Sequence, residues 1–204
     1  GVPGGGLYDS TANGAWLWRS SIAASTSISG GYIYGYEGYA LDNWCVNYPG
    51  GNITPSVANR LMTVHLPYVK KADYNSANVS SGSNGLSRKC FLLSAVEMGI
   101  YTWQGIDGLM AQEGAKLDYF DYTTDATDKR KADDEYWTRS KRTHNGNYMY
   151  AFYADGSFCN AGYREDSHGL RPCIVLPLNT LVTTVTFLWA SSNYINLSLI
   201  HISE

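Results

Sequence analysis

Residues 149–161, Met-Tyr-Ala-Phe-Tyr-Ala-Asp-Gly-Ser-Phe-Cys-Asn-Ala, constrain the fold of this chain more than any other stretch. Two aromatic-rich runs flank Asp155-Gly156, and Asp-Gly supplies the positive-φ pair that a type I′ hairpin turn requires. Period two then places Tyr150 and Phe152 on one face of the hairpin, and Ala151 and Tyr153 on the other. Composition agrees with short strands and tight turns, since 21 Gly and 17 Tyr stand beside 6 Trp. At 44% hydrophobic and 16% charged the chain is too apolar to be disordered, and 204 residues suffice for a core that needs no staples. Fifteen basic against 18 acidic residues leave a formal charge of −3, with nothing to draw the protein to phosphate backbones or anionic lipid. Neither a nucleic-acid partner nor membrane insertion is expected.

Around the hairpin, residues 88–93 (Arg-Lys-Cys-Phe-Leu-Leu) and 173–176 (Cys-Ile-Val-Leu) read as buried strands. Ser94-Ala-Val-Glu97 has the spacing of a capping box, opening a helix kept short by Gly99 and Gly105. Residues 39–64 look helical in part: Leu41, Trp44 and Cys45 fit one face, and Val57, Leu61, Met62 and Val64 continue after the Pro49-Gly50-Gly51 break. The run 128–135, Asp-Lys-Arg-Lys-Ala-Asp-Asp-Glu, reads as a solvated helix or loop. The whole is α+β.

No nucleophile elbow, zinc-helix motif, phosphate loop or dinucleotide fingerprint is present, and the four histidines lie far apart. Cys45, Cys90, Cys159 and Cys173 contain no C-x-x-C; they read as free, buried thiols, and the three connectivities open to four cysteines cannot be told apart. Residues 1–6 read as a linker or the point at which a larger protein is cut. Residues 197–204 match the in-frame translation of an adapter used to prepare sequencing libraries; as protein they would form an alternating strand. Residues 183–204 are therefore set apart as a tail.

Tyr136-Trp137-Thr138-Arg139-Ser140, Asp155-Gly156-Ser157 and Gly169-Leu170-Arg171-Pro172 stand in the order of a W-L-R-S … D-G-S … G-V-R-P-A-L signature. Trp16-Leu17, His65-Leu66-Pro67-Tyr68, Phe91-Leu92-Leu93-Ser94 and Glu113-Gly114-Ala115-Lys116-Leu117 align in the same order. Over about residues 7–182 the chain thus resembles an uncharacterised family of gut bacterial and phage domains. Thr138 and Lys141 depart from it, standing where Leu and Pro are usual, and the resemblance implies a first strand upstream of Leu7 that is expected to be missing here.

Members of that family resemble C-type-lectin-fold domains, including the variable proteins of diversity-generating retroelements. The resemblance implies a C-type-lectin-like fold over residues 7–182: a small twisted antiparallel sheet, two short helices and long loops. It implies a receptor-recognition or adhesion module of a phage tail or bacterial surface protein, not an enzyme. Its partner would be a protein or glycan on a host cell, and it would need no cofactor. Calcium is not expected, because the ligand triplets of true lectins are absent.

Retroelement mutagenesis turns template Asn codons of the form A-A-pyrimidine into N-N-pyrimidine, a set without Met, Trp, Gln, Lys and Glu, and between Arg142 and Cys173 only Met149 and Glu165 belong to those types. The positions matching the family's variable slots are Tyr148, Ala151, Tyr153, Phe158, Cys159, Asn160, Ala161, Tyr163, Arg164, Asp166 and His168. Trp137, Arg139, Gly156, Gly169, Arg171 and Pro172 are implied as scaffold, with Arg139 or Arg171 bonding loop carbonyls. Two alternatives remain: a structural module without its own ligand, and an enzyme like the formylglycine generators, for which Cys159 and Cys173 are the available cysteine pair.

Overall fold

The structure, a computed structural model, describes residues 14–28, 34–100, 104–105, 108–120, 126–143 and 146–177, with the backbone alone at 104–105, 108–109, 118, 126 and 160–161. The chain opens with β1 (Gly14–Trp18) and β2 (Ala24–Ser27), then runs through α1 (Ala40–Asn47), α2 (Pro49–Asn52) and α3 (Pro55–Ala58). Short strands follow: β3 (Val64–Leu66), β4 (Tyr68–Val69), β5 (Val79–Ser80), β6 (Leu86–Arg88), β7 (Cys90–Phe91), β8 (Gln104–Gly105) and β9 (Gly108–Leu109). After α4 (Ala126–Arg130) come β10 (Tyr136–Lys141), β11 (Tyr148–Phe152), β12 (Phe158–Tyr163), β13 (Ser167–Leu170) and β14 (Cys173–Pro177).

Two sheets carry the fold. A five-stranded sheet has the order β12-β11-β10-β13-β2, and a three-stranded sheet the order β1-β14-β7. Pairing is antiparallel except where β13 lies parallel to β10, at Tyr136 opposite Gly169. One apolar cluster joins the sheets, with Trp16 of β1, Leu41 and Cys45 of α1, Phe91 of β7, Tyr136, Trp137 and Phe152 of the larger sheet and Val175 of β14 all buried.

Four helices occur among the described residues where two were expected, and α1 alone exceeds seven residues. The prolines explain the fragmentation. Pro49 and Pro55 each sit at the first helical position, where a missing N–H is harmless, so each starts a new single turn instead of extending the last. Val64, expected on the same helical face as Leu61, falls in β3. In α1, Leu41 and Cys45 are buried, and Asp42 replaces a side-chain N-cap by accepting the Gly38 N–H at 2.7 Å while its oxygens take Arg88 Nε and Nη2 at 2.6 Å each.

Ser94 and Glu97 do form the expected reciprocal box. Ser94 Oγ accepts from Glu97 N at 3.0 Å, and Glu97 Oε2 accepts from Ser94 N at 2.9 Å. The turn ends at once: Gly99, at φ +93°, donates to Val96 O, and Ile100 N reaches back to Ala95 O. That pair of bonds is a Schellman closure, so the segment is a single turn capped at both ends.

The hairpin of β11 and β12 closes through three residues instead of the expected two. Gly156 N donates to Tyr153 O and Tyr153 N to Ser157 O, both at 2.9 Å, a loop in which one residue alone must take positive φ. That residue is Gly156, at φ +83°. Asp155 Oδ1 stiffens the loop by accepting from Ser157 N and Oγ.

Both neighbours of β11 are bulged, and at the same place. Between Met149 and Ala151, Tyr150 faces three residues of β10 (Thr138, Arg139, Ser140) and two of β12 (Asn160, Ala161). The β10 bulge abolishes alternation, and all six of that strand's residues are buried.

Gly156 also lies so close to α4 that an added Cβ would meet Thr127 O at 2.0 Å. Gly156→Ala combines that clash with left-handed strain, and is expected to lose about 2–3 kcal/mol of stability by urea denaturation. A variant within about 0.5 kcal/mol of wild type, the range of a neutral surface change, would contradict this account of the loop.

Candidate functional site

The β10 bulge aims Arg139 into the protein, where it is fully buried against Glu97. Arg139 Nη1 and Nη2 meet Glu97 Oε2 and Oε1 at 2.5 and 2.6 Å. Its remaining donors go to the carbonyls of Pro67, Leu92 and Glu113, so a charge taken out of water is met on every side. Thr138 Oγ1 donates to Tyr150 O, and Ser140 Oγ accepts the Ala95 N–H, fixing the bulge to its neighbours.

Two further ionisable groups lie beside the pair. Glu113 is buried, and its Oε1 accepts the Val69 N–H at 3.1 Å. Burial raises its carboxyl above the ordinary range, with the Arg139 charge and the Ser140 hydroxyl opposing. Lys141 is buried too, its Nζ on Tyr74 O and 5.1 Å from the Tyr74 ring centroid. Burial pushes its ammonium down to about 8, with Glu113 opposing. The cluster is closed from solvent and ties together the backbone around it.

Two more arginines repeat the device. Arg171 donates to the carbonyls of Arg19, Arg130 and Lys131 while its guanidinium carbon sits 3.5 Å from the Trp18 ring centroid and 4.6 Å from that of Tyr136. Arg130 donates to Met98 O and Gly156 O. The sequence placed Arg130 in a solvated run, and its burial had no local signal. Of the other residues implied as scaffold, Trp137, Gly156, Gly169 and Pro172 are all buried, and Ile22 fills the space that a Cβ on Gly169 would need.

The eleven variable-slot residues divide by location. Ala151 and Cys159 pair across the sheet with Trp137 and are buried, because both faces of this sheet are covered at that level. His168 is buried with its ring 4.2 Å from Trp137 and Nδ1 3.0 Å from Glu135 Oε2. As a ligand-binding face these three slots would have to be exposed, and they are not. Phe158 packs on Tyr150 and Phe152, on the other side. Tyr153 is exposed, and a hydrogen bond with the Cys159 thiol raises its phenol above the usual range. The side chains of Asn160 and Ala161 lie outside the described residues.

Tyr148, Tyr163, Arg164 and Asp166 come together where β10 and β12 end and β11 begins. The Tyr148 and Tyr163 rings meet edge to face at 5.5 Å, and the guanidinium of Arg142 lies 5.3 Å from the Tyr148 ring centroid. Asp166 Oδ2 accepts the Tyr163 N–H, and Arg164 N donates to Asn147 O. The tyrosines and Arg164 are half-buried and Asp166 exposed, so ring edges, guanidinium and carboxylate are all offered to a partner. Such a surface can stack on a partner and hydrogen-bond to it. Among the described residues no cluster of three or more His, Cys, Asp or Glu side chains is placed to hold a metal ion, and no helix is long and apolar enough to cross a membrane.

The buried ammonium gives a pH test. Because Lys141 titrates near 8 when folded and near 10.4 when unfolded, the folded protein binds fewer protons between those values, and stability rises with pH across that window. Lys141→Met should remove the rise. In urea denaturation, the difference between wild type and variant is expected to move in favour of wild type by about 2 kcal/mol from pH 7.5 to pH 10. The subtraction cancels the buried thiols and Tyr136, which both proteins share, and a difference independent of pH would count against the assignment.

No curated protein and no solved structure matches the chain. Residues 13–178, from just before β1 to just after β14, match the family described as a domain of unknown function, DUF6273, and the chain belongs to that family.

Proposed function

We propose that this domain is a ligand-binding module of a phage or bacterial surface protein, with a C-type-lectin-like fold, and that it recognises a protein or glycan on a host cell. The observation that carries the reading is the cluster of Tyr148, Tyr163, Arg142 and Arg164 at one end of the larger sheet. Tyrosine and arginine supply large contact area and directed donors at low entropic cost, the residue chemistry of adaptable binding surfaces. The frame beneath is rigid, since buried arginines tie its loops to one another. Binding, not turnover, suits these groups. The cysteines that a formylglycine-generating type of enzyme would pair are split between sheets, Cys159 in β12 and Cys173 in β14.

Purified domain should attach to its host cells, and Tyr148→Ala with Tyr163→Ala should weaken attachment at least tenfold, a loss typical of central aromatic anchors. Lys89→Gln, on an exposed position distant in the chain, should not. Attachment that survives every substitution in the cluster would leave a structural module in place of a binding one.

Retroelement diversification of the same surface predicts a near-copy of the codons for residues 137–172 in flanking DNA, beside a reverse-transcriptase gene. Differences between the copies should concentrate at Tyr148, Tyr153, Tyr163, Arg164 and Asp166, and be rarer at buried Ala151, where added volume costs about 1–3 kcal/mol. A complete source contig without that repeat, or with changes spread evenly over Trp137 and Phe152, would exclude this origin.

A further inference from the structure

Three tyrosines gather from two stretches of chain, Tyr34 and Tyr39 from the approach to α1 and Tyr74 from the loop between β4 and β5. The Tyr34 and Tyr39 ring centroids lie 6.1 Å apart with their planes inclined at 43°. The Lys71 ammonium lies over both rings, 5.4 Å from the Tyr39 centroid and 5.9 Å from that of Tyr34. Tyr74 backs Tyr34 edge to face, at 4.7 Å and 88°. All three tyrosines are half-buried and Lys71 is exposed, so the rings are reached from solvent on the side where the ammonium sits.

Bonds around the rings hold them in place. Gly35, at φ +121°, lies against Val69 O, where a Cβ would come within 3.2 Å. Glu37 Oε2 accepts the Lys71 backbone N–H at 3.4 Å and so joins the two stretches. On the far side Lys141 Nζ donates to Tyr74 O and lies 5.1 Å from the Tyr74 ring centroid. The Lys71 ammonium itself is left to the two ring faces. Ring faces attract a cation through their quadrupole, and the attraction grows as the cation is desolvated. A lysine ammonium is strongly hydrated and gives up its water reluctantly. A quaternary ammonium carries the same charge with methyl groups in place of N–H donors, so it sheds water easily and packs its methyls on both faces.

We propose that Tyr34 and Tyr39, backed by Tyr74, form a binding site for a quaternary ammonium group, and that the Lys71 side chain is a tethered competitor that fills the site when no ligand is present. The site lies outside residues 142–170 and does not depend on the cluster of Tyr148 and Tyr163. Ligand enters as the Lys71 side chain swings into solvent, a rotamer change that leaves its backbone bond to Glu37 in place. One cation on the rings is exchanged for another, and the affinity is the difference between them.

The test titrates the full chain, with isotope-labelled tyrosine, with choline and follows aromatic proton–carbon correlation spectra. The Tyr34 and Tyr39 signals should shift, and the neutral isostere of choline, with a tert-butyl group in place of trimethylammonium, should bind far more weakly. Lys71→Gln removes the competitor and should tighten choline binding about two- to fivefold, the worth of an exposed cation–π contact. Tyr39→Leu keeps apolar bulk without the π face, and should weaken choline binding by a similar factor while leaving the isostere unaffected. Should Tyr39→Leu fail to fold, Lys71→Gln and the isostere decide. Tyr148→Ala with Tyr163→Ala should bind choline as wild type does, which separates this site from the cluster at the end of the larger sheet. Co-sedimentation with phosphatidylcholine vesicles, against phosphatidylglycerol vesicles, then tells the source. Capture supports a lipid headgroup as ligand, and choline binding without capture supports a soluble or polymer-borne choline. Absence of any shift at Tyr34 and Tyr39, equal binding of choline and its isostere, or choline binding unchanged or weakened in Lys71→Gln would overturn the proposal, as would its loss in the Tyr148 and Tyr163 variant.

Discussion

Arg139 has every donor of its guanidinium engaged inside the protein, and the segments it holds are otherwise irregular. Pro67, Leu92, Glu97 and Glu113 come from three stretches of chain, and three carbonyls and one carboxylate converge on a single side chain. An isolated buried charge would carry a desolvation penalty of several kcal/mol; here the carboxylate and the carbonyls offset it. What the arrangement supplies is geometry. Removing either partner would strand the other, at about 3–5 kcal/mol, so the paths of the three segments are fixed together. Glu97 serves twice, as counter-ion to Arg139 and as the capping carboxylate of the Ser94 turn. Gly114 has to be glycine for the same reason, since a Cβ there would meet Glu97 Oε1 at 2.9 Å and its φ is +107°.

This accounts for a fold with so little regular structure. Long connections leave many carbonyls buried without a ladder partner, and each must find a donor. Arg130, Arg139 and Arg171 provide those donors in three places, with Arg171 also seated between Trp18 and Tyr136. Planar guanidinium suits the work, because it bonds in its plane and stacks on rings through its faces. A lysine at position 139 would keep the charge and lose the fork.

Local signals in the sequence were legible where neighbours in the chain decide the outcome. The Asp155-Gly156 hairpin, the Ser94–Glu97 box, the Leu41/Cys45 face of α1 and strand β14 all follow from patterns a few residues long. Features set by distant partners were not. Thr138, Arg139 and Ser140 are three polar residues in a row, and nothing beside them in the chain reveals that a bulge buries all three; only the family resemblance marked Arg139 as scaffold. Arg130 sits in a run of charges whose other members are largely solvated, and its burial depends on carbonyls at Met98 and Gly156. Ala151 followed the alternation rule, but alternation says which residues share a face and not whether that face is covered. Part of the candidate surface was readable as composition, while the meeting of Tyr148 with Arg142 and Tyr163 depends on the two bulges beside β11.

The bulge on β12 has a consequence for the molecule as one of many. β12 is an outer strand, and its residues Phe158, Cys159, Asn160, Ala161, Gly162 and Tyr163 include neither a charge nor a proline. A straight strand of that composition at the rim of a sheet is a template for edge-to-edge association, and crowding copies together would favour it. The extra residue opposite Tyr150 breaks the repeat in which a second strand would have to register, and Asp166 already occupies the Tyr163 N–H at one end. The backbone path of this edge, and neither charge nor proline, is therefore what opposes the pairing of a second strand along β12.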